Sequence, residues 1–355
     1  MRKEALDKLY QGTVIPAVPL VLDSNRNLNE AGQRRLVRYY LRAGAGGLAV
    51  AVHTTQFEIR EPETRYFEKV LNIAAQEARR FEKETGKVII LVAGACGPVS
   101  QAIEEATIAK ELGYDAVLLS PGGLSHLSEQ EMVERTRAVA AKMPVIGFYL
   151  QPSVGGRVFS YQYWQSICEI DNVVAIKTAP FNRYLTLDVV RAVALSSRAD
   201  KIALYTGNDD NIVIDLLTKF AFEKDGKVYT KRFAGGLLGH WAVWTGTVVR
   251  MFDAIKKAAE QDYIPAELLT LAARVTDANS AFFDTANGFK GCITGIHEVL
   301  RRQGLMEGIW TLNEDEGLSP GQAEEIDRVY EMYPELNDDE FVKEFLEAEK
   351  GNGDY

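Results

Sequence analysis

From Gly12 to about His240, short apolar runs rich in β-branched residues alternate with stretches of helical length whose apolar residues recur every three or four positions. Eight of the runs read as strands, at residues 13–22, 47–52, 88–94, 116–120, 145–150, 173–178, 202–206 and 232–238. They are continuously apolar rather than alternating, as expected of strands covered on both faces in a parallel sheet. Between them, residues 30–43, 62–83, 100–112 and 128–141 read as amphipathic helices. Such an alternation specifies βα units. Beyond residue 241 the strand signal stops. Only helical patterns continue, broken by a turn around residues 313–320 and ending in an acidic stretch, 337–355, expected to be a short helix with a frayed tail.

Eight βα units suit a closed barrel better than an open doubly wound sheet, and no Gly-x-Gly-x-x-Gly follows the first strand, so the dinucleotide fingerprint is missing. The expected fold is therefore α/β, a (β/α)8 barrel of the TIM type over residues 1–250 with a C-terminal helical extension over 251–355. In such a barrel, catalytic groups stand at the carboxyl ends of the strands. That rule narrows the candidates to His53, Thr54 and Thr55 after the second strand, Tyr149 in the fifth, Lys177 in the sixth, and Gly207 and Asn208 after the seventh.

Composition narrows the partners. The chain of 355 residues is 46% hydrophobic and 25% charged, with a net charge of −10, the balance of a globular protein with no basic footprint for nucleic acid or an anionic membrane. Its longest apolar runs are too short to cross a bilayer. Residues 1–5 lead into mixed charge with no signal-peptide pattern, so a cytoplasmic location is expected. Cys96, Cys168 and Cys292 are odd in number and widely spaced, which favours buried reduced thiols over disulfides or a zinc knuckle.

Lys177 ends the run Val173-Val174-Ala175-Ile176, so its ammonium lies in a segment otherwise dedicated to burial. Desolvation lowers a lysine pKa, and a neutral amine can attack a carbonyl carbon to form an imine. A lysine that snorkels to solvent is the alternative. Tyr149 offers a phenol that donates and recovers a proton if it faces the barrel mouth, or a core ring with a satisfied hydroxyl if it does not. Thr54 and Thr55 offer hydroxyls and N–H groups for a carboxylate, or simple loop capping.

These residues resemble the dihydrodipicolinate synthase and N-acetylneuraminate lyase family of Schiff-base barrels. Gly12-Thr13-Val14-Ile15-Pro16-Ala17 resembles its first strand, and His53-Thr54-Thr55-Gln56-Phe57-Glu58 stands in the place of its Gly-Thr-Thr-Gly-Glu. Tyr149-Leu150-Gln151-Pro152 resembles its Tyr-x-x-Pro, and Ile176-Lys177-Thr178-Ala179 its lysine signature. The resemblance implies Lys177 as the imine-forming residue, Tyr149 as the proton shuttle, and Thr54 and Thr55 as carboxylate-binding and proton-relay groups. Gly207-Asn208-Asp209-Asp210 would line the mouth. It implies no metal and no organic cofactor, a small-molecule 2-oxo acid as partner, and a homodimer or homotetramer.

The departures are also informative. His53 and Gln56-Phe57 alter the rim, and His53 reads either as an added acid–base group or as a structural histidine. Pro121-Gly122-Gly123-Leu124-Ser125-His126 lacks the tyrosine pair of the synthases. Ser153-Val154 follows Pro152 where the synthases carry an arginine for aspartate semialdehyde, and Arg157 reads as a surface residue rather than its replacement. The expected function is thus a class I lyase, aldolase or dehydratase acting on pyruvate or a related 2-oxo acid, with a 2-keto-3-deoxy sugar acid as one candidate, and not a dihydrodipicolinate synthase. Two alternatives stand beside it: a 2-oxo-acid sensor or scaffold without turnover, and a phosphate-dependent barrel aldolase using Ala234-Gly235-Gly236.

Overall fold

The computed structural model describes residues 1–351. Eight parallel strands form the barrel: β1 (Val14–Pro16), β2 (Gly47–Val50), β3 (Ile90–Ala95), β4 (Ala116–Leu119), β5 (Val145–Leu150), β6 (Val173–Ala179), β7 (Ala203–Thr206) and, after a hairpin of β8 (Phe220–Lys224) and β9 (Lys227–Lys231), β10 (Phe233–Leu238). Their order around the sheet is β1-β10-β7-β6-β5-β4-β3-β2. Closure between β1 and β2 is slight: a single bridge joins Ala17 to Ala49, where Val18 N–H donates to the Ala49 carbonyl at 2.9 Å. The fold is a (β/α)8 barrel with a C-terminal helical region.

The helices are α1 (Lys3–Gln11), α2 (Glu30–Ala43), α3 (Phe67–Thr85), α4 (Val99–Glu111), α5 (Glu129–Ala140), α6 (Tyr161–Cys168), α7 (Arg183–Ala194), α8 (Ile212–Leu217), α9 (Thr245–Ala259), α10 (Glu267–Phe282), α11 (Cys292–Arg302), α12 (Gln322–Met332) and α13 (Asp339–Gly351). Local chemistry sets several ends. Asn29 accepts from Gly32 N–H to cap α2, Ser128 and Glu131 form a capping box on α5, and Asn182 accepts from two N–H groups at the start of α7. Left-handed Gly44 and Gly86 stop α2 and α3.

Two apolar clusters follow from the barrel's geometry. One fills the barrel itself, with Ile15, Val92, Leu118, Ile146, Ala175 and Leu237 among its members, and α1 closes its lower end with Ala5 and Leu9. Arg2 holds that plug in place through Asp115, Glu82 and the Ile89 carbonyl. The other cluster lies between the strands and the helix ring.

Four expectations need correction. The first strand is regular only over Val14–Pro16, and the rest of 13–22 is buried without a ladder. Helix α3 starts five residues after 62, because two 3-10 turns, His53–Thr55 and Phe57–Arg60, occupy the preceding rim. The β8–β9 hairpin, turning at Asp225-Gly226 with φ of 51° and 70°, has no counterpart among the expected elements. The boundary at 250 falls inside the continuous helix α9, which packs on β1 and α2 as the barrel's last helix. Helix α13 lies within the acidic stretch, and the expected frayed end, 352–355, lies outside the described residues. No helix among the described residues is long and apolar enough to cross a membrane.

Candidate active site

At the carboxyl ends of the strands the barrel opens into a cavity roofed by the loop after α10 and the first turns of α11. Lys177 enters it from β6 and is 9% exposed. Its ammonium lies 4.4 Å from the centre of the Phe148 ring, a cation–π contact from the neighbouring strand. The side chain has room because Gly207 has none: a Cβ there would stand 2.6 Å from Lys177 Cε and 2.9 Å from Ala179 Cβ. Gly207 therefore shapes the lysine's channel.

Asp209 lies in the same cavity and is buried. One of its carboxylate oxygens accepts from His240 N–H at 3.3 Å. Burial pushes the Lys177 pKa down while Asp209 holds it up, and burial pushes Asp209 up while Lys177 holds it down. Each group thus disfavours its charged form except in the field of the other.

His53 stands half-buried at the rim, its ring 5.9 Å from that of Phe57. Burial and then the Lys177 charge lower its pKa to about 4, so it is neutral at neutral pH. Thr54 lines the cavity, whereas Thr55 is fully buried behind it and donates its hydroxyl to the Val18 carbonyl at 2.7 Å. Of the threonine pair, only Thr54 is placed to meet a substrate.

Two sequence expectations fail here. Tyr149 points to the helix layer: it is buried between Phe159 and Trp164, and its hydroxyl oxygen accepts from Phe159 N–H at 3.2 Å. Ile146, Phe148 and Leu150 alternate into the barrel, which leaves Tyr149 on the outer face, and in β6, where Val145 pairs with Val173 but Ile146 with Ala175, one extra residue turns Lys177 inward beside Phe148. Asn208 is also turned away. It donates to Asp215 and Thr186 and accepts from Phe181 N–H, so it holds the wall rather than lining it. The residue that takes its place in the cavity is Asp209, whose neighbour in the chain carried the expectation.

The altered rim is explained by the roof. Gln56 keeps the left-handed backbone of a glycine, φ 69°, and its side-chain oxygen accepts from Leu312 N–H at 2.6 Å, tying the second strand's loop to the C-terminal region. Val154 lines the cavity, while Arg157 stays outside it, bonded to the Leu127 carbonyl and stacked on Phe159. Gly235 and Gly236 do not line it: a Cβ on either would strike Thr13 or Trp241, so close packing accounts for both. Cys96, Cys168 and Cys292 are free thiols with pKa values raised by burial.

Fold and site define a (β/α)8 barrel with a buried lysine and a buried carboxyl in the lining of its mouth. The chain belongs to the dihydrodipicolinate synthetase family, whose model matches residues 11–219. It is similar to a 4-hydroxy-tetrahydrodipicolinate synthase of Bifidobacterium longum, 27% identical over 58% of this chain and 62% of that one. It is likewise similar to an N-acetylneuraminate lyase of Escherichia coli, 25% identical over 58% of this chain and 65% of that one. Both matches span less than two thirds of the relative's length. Among solved structures, the N-acetylneuraminate lyase of Fusobacterium nucleatum superposes with a TM-score of 0.69 at 16% identity, over 91% of this chain and 98% of that one. The pyruvate-bound dihydrodipicolinate synthase of Acinetobacter baumannii gives 0.71 at 18% identity, over 90% and 98%.

Proposed function

We propose that the protein is a class I lyase that holds a 2-oxo acid as an imine on Lys177 and makes or breaks a bond next to the former carbonyl. The observation that carries this reading is the burial of Lys177 and Asp209 in the lining of one cavity at the barrel mouth. Thr54 binds the substrate carboxylate, and neutral Lys177 attacks C2. Asp209 gives a proton to the carbinolamine hydroxyl, which leaves as water. The positive imine, over the Phe148 face, then draws electrons from the C3–C4 bond of a 4-hydroxy-2-oxo acid while the Asp209 carboxylate takes the proton of the 4-hydroxyl. An aldehyde departs, the enamine is reprotonated at C3, and water releases pyruvate.

The cavity argues against aspartate semialdehyde as co-substrate. Val154 occupies the wall where an arginine would be needed, and Lys177 is the one lysine or arginine among the described lining residues, so a second carboxylate finds no partner. Steady-state assays over a panel of 2-oxo acids, scored by pyruvate release and by loss of water, test the proposal. We expect turnover of at least one 4-hydroxy-2-oxo acid to exceed condensation of pyruvate with aspartate semialdehyde. Faster condensation would overturn the assignment away from that synthase. Pyruvate binding without turnover of any member would favour a sensor.

A further inference from the structure

Resting on the imine reading, we infer that the part of the substrate beyond C4 is uncharged and apolar, an aryl group above all, and that the C-terminal helical region selects it. The lower cavity holds the polar groups already described. Above Lys177 the lining changes character. Phe283 and Phe289 from the loop after α10, with Ile293 and Ile296 of α11, line the cavity together with Phe181 and Val154. The Phe181 and Phe289 rings lie 5.8 Å apart at 63°, an edge-to-face pair that makes this apolar wall continuous.

This wall is held, not merely collapsed. Phe181 and Phe289 both have left-handed backbones, with φ of 50° and 68°, a conformation that costs energy in a bulky residue and persists only under restraint. The restraints are visible. Asn208 accepts from Phe181 N–H at 3.1 Å, and Asp284 fixes the Phe289 loop by accepting from Gly291 N–H at 2.9 Å, Asn287 Nδ2 at 2.7 Å and the Ser319 hydroxyl at 2.6 Å. All four roof residues lie beyond residue 219, where the family match ends.

A polyhydroxylated chain fits such a wall poorly. Beyond the imine-forming groups, the lining offers its side-chain hydrogen-bonding capacity chiefly through His53 and Gln151, too few for several hydroxyls withdrawn from water. Each unpaired hydroxyl weakens binding, while each apolar carbon placed there strengthens it. The sugar-derived acid, one candidate from the sequence, is the poorer one. The reaction that follows is aldol cleavage of a 4-aryl-4-hydroxy-2-oxobutanoate: the C3–C4 bond breaks, the 4-hydroxyl loses its proton to become the aldehyde, and C3 gains one. The products are an aromatic aldehyde and pyruvate, with no oxidant or reductant.

The test compares kcat/KM for 4-hydroxy-2-oxo-4-phenylbutanoate and for a 2-keto-3-deoxy sugar acid, alongside borohydride trapping with pyruvate alone, in the full-length protein. We expect the aryl acid to be preferred by about 10-fold or more, the order of discrimination an apolar pocket achieves. We further expect Phe289→Ala and Ile293→Ala each to lower that ratio several-fold. Pyruvate adduct on Lys177 together with preference for the sugar acid, or an unchanged ratio in both variants, would overturn this inference and leave the imine reading standing. No adduct with pyruvate would overturn both.

Discussion

Gly207→Ala separates the fold from the chemistry. Gly207 has a backbone that other residues adopt freely, so the substitution adds only a methyl group. That methyl would stand 2.6 Å from Lys177 Cε, against 3.4 Å for the near edge of ordinary contact, a shortfall of 0.8 Å. The second clash, 2.9 Å to Ala179 Cβ, is with a strand residue that cannot swing aside. The flexible lysine therefore moves, and its amine leaves the attacking position by about an ångström. Misplacement of that size costs about 10² in rate, or about 2.7 kcal/mol of barrier, whereas the methyl's overpacking costs about 1–3 kcal/mol of stability and leaves a folded protein. The assay is the rate at which pyruvate and borohydride convert the intact protein to the reduced adduct, with the thermal midpoint measured on the same samples. A folded variant that is trapped at the wild-type rate would refute the placement of Lys177.

Three further perturbations test neighbouring parts. Asp209→Asn removes the charge that holds the Lys177 pKa up, so the acid limb of the adduct-formation profile shifts to lower pH, while turnover falls by about 10²–10⁴ if Asp209 handles the protons. An unmoved limb would separate the two groups. Tyr149→Phe removes the acceptor for Phe159 N–H, so we expect a loss of about 1–2 kcal/mol in stability and near wild-type kcat, and a catalytic loss without destabilisation would return Tyr149 to the mechanism. His240 and His297 are buried, with pKa values lowered by burial from 6.5 to about 4. Between those values the unfolded chain binds more protons, so their contribution is intact above pH 6.5 and falls by about 1.4 kcal/mol per pH unit for each histidine as the pH drops towards 4. Asp209, with its raised pKa, acts in the opposite sense, so the measurement is the flattening of the stability–pH slope in His240→Asn and His297→Asn, and an unchanged slope in both would contradict it.

The barrel was legible because eight doubly covered strands leave an apolar run that local pattern can detect, and Lys177 stood out as a cation ending one of them. Tyr149 misled because the motif spacing assumes an even register between β5 and β6. One extra residue at Val174-Ala175 turns Lys177 to the face that Phe148 occupies and leaves Tyr149 on the other, and no local signal announces it. In Gly207-Asn208-Asp209 the choice between Asn208 and Asp209 depended on partners that converge only in the fold, namely Thr186 from α7 and Asp215 from α8. The β8–β9 hairpin, by contrast, carried a readable Asp-Gly turn between strand-like runs. The aromatic roof was beyond reach, since helix periodicity reveals that α10 and α11 exist but not that they dock over the barrel mouth.

Every step proposed for this site starts from an imine on Lys177. Incubation with pyruvate and borohydride, followed by intact-mass measurement and peptide mapping, tests it most directly, because reduction fixes the imine as a stable amine. We expect one reduced pyruvyl adduct, located on Lys177 and lost in Lys177→Ala. An adduct on another lysine, or equal labelling of the Lys177→Ala protein, would contradict it.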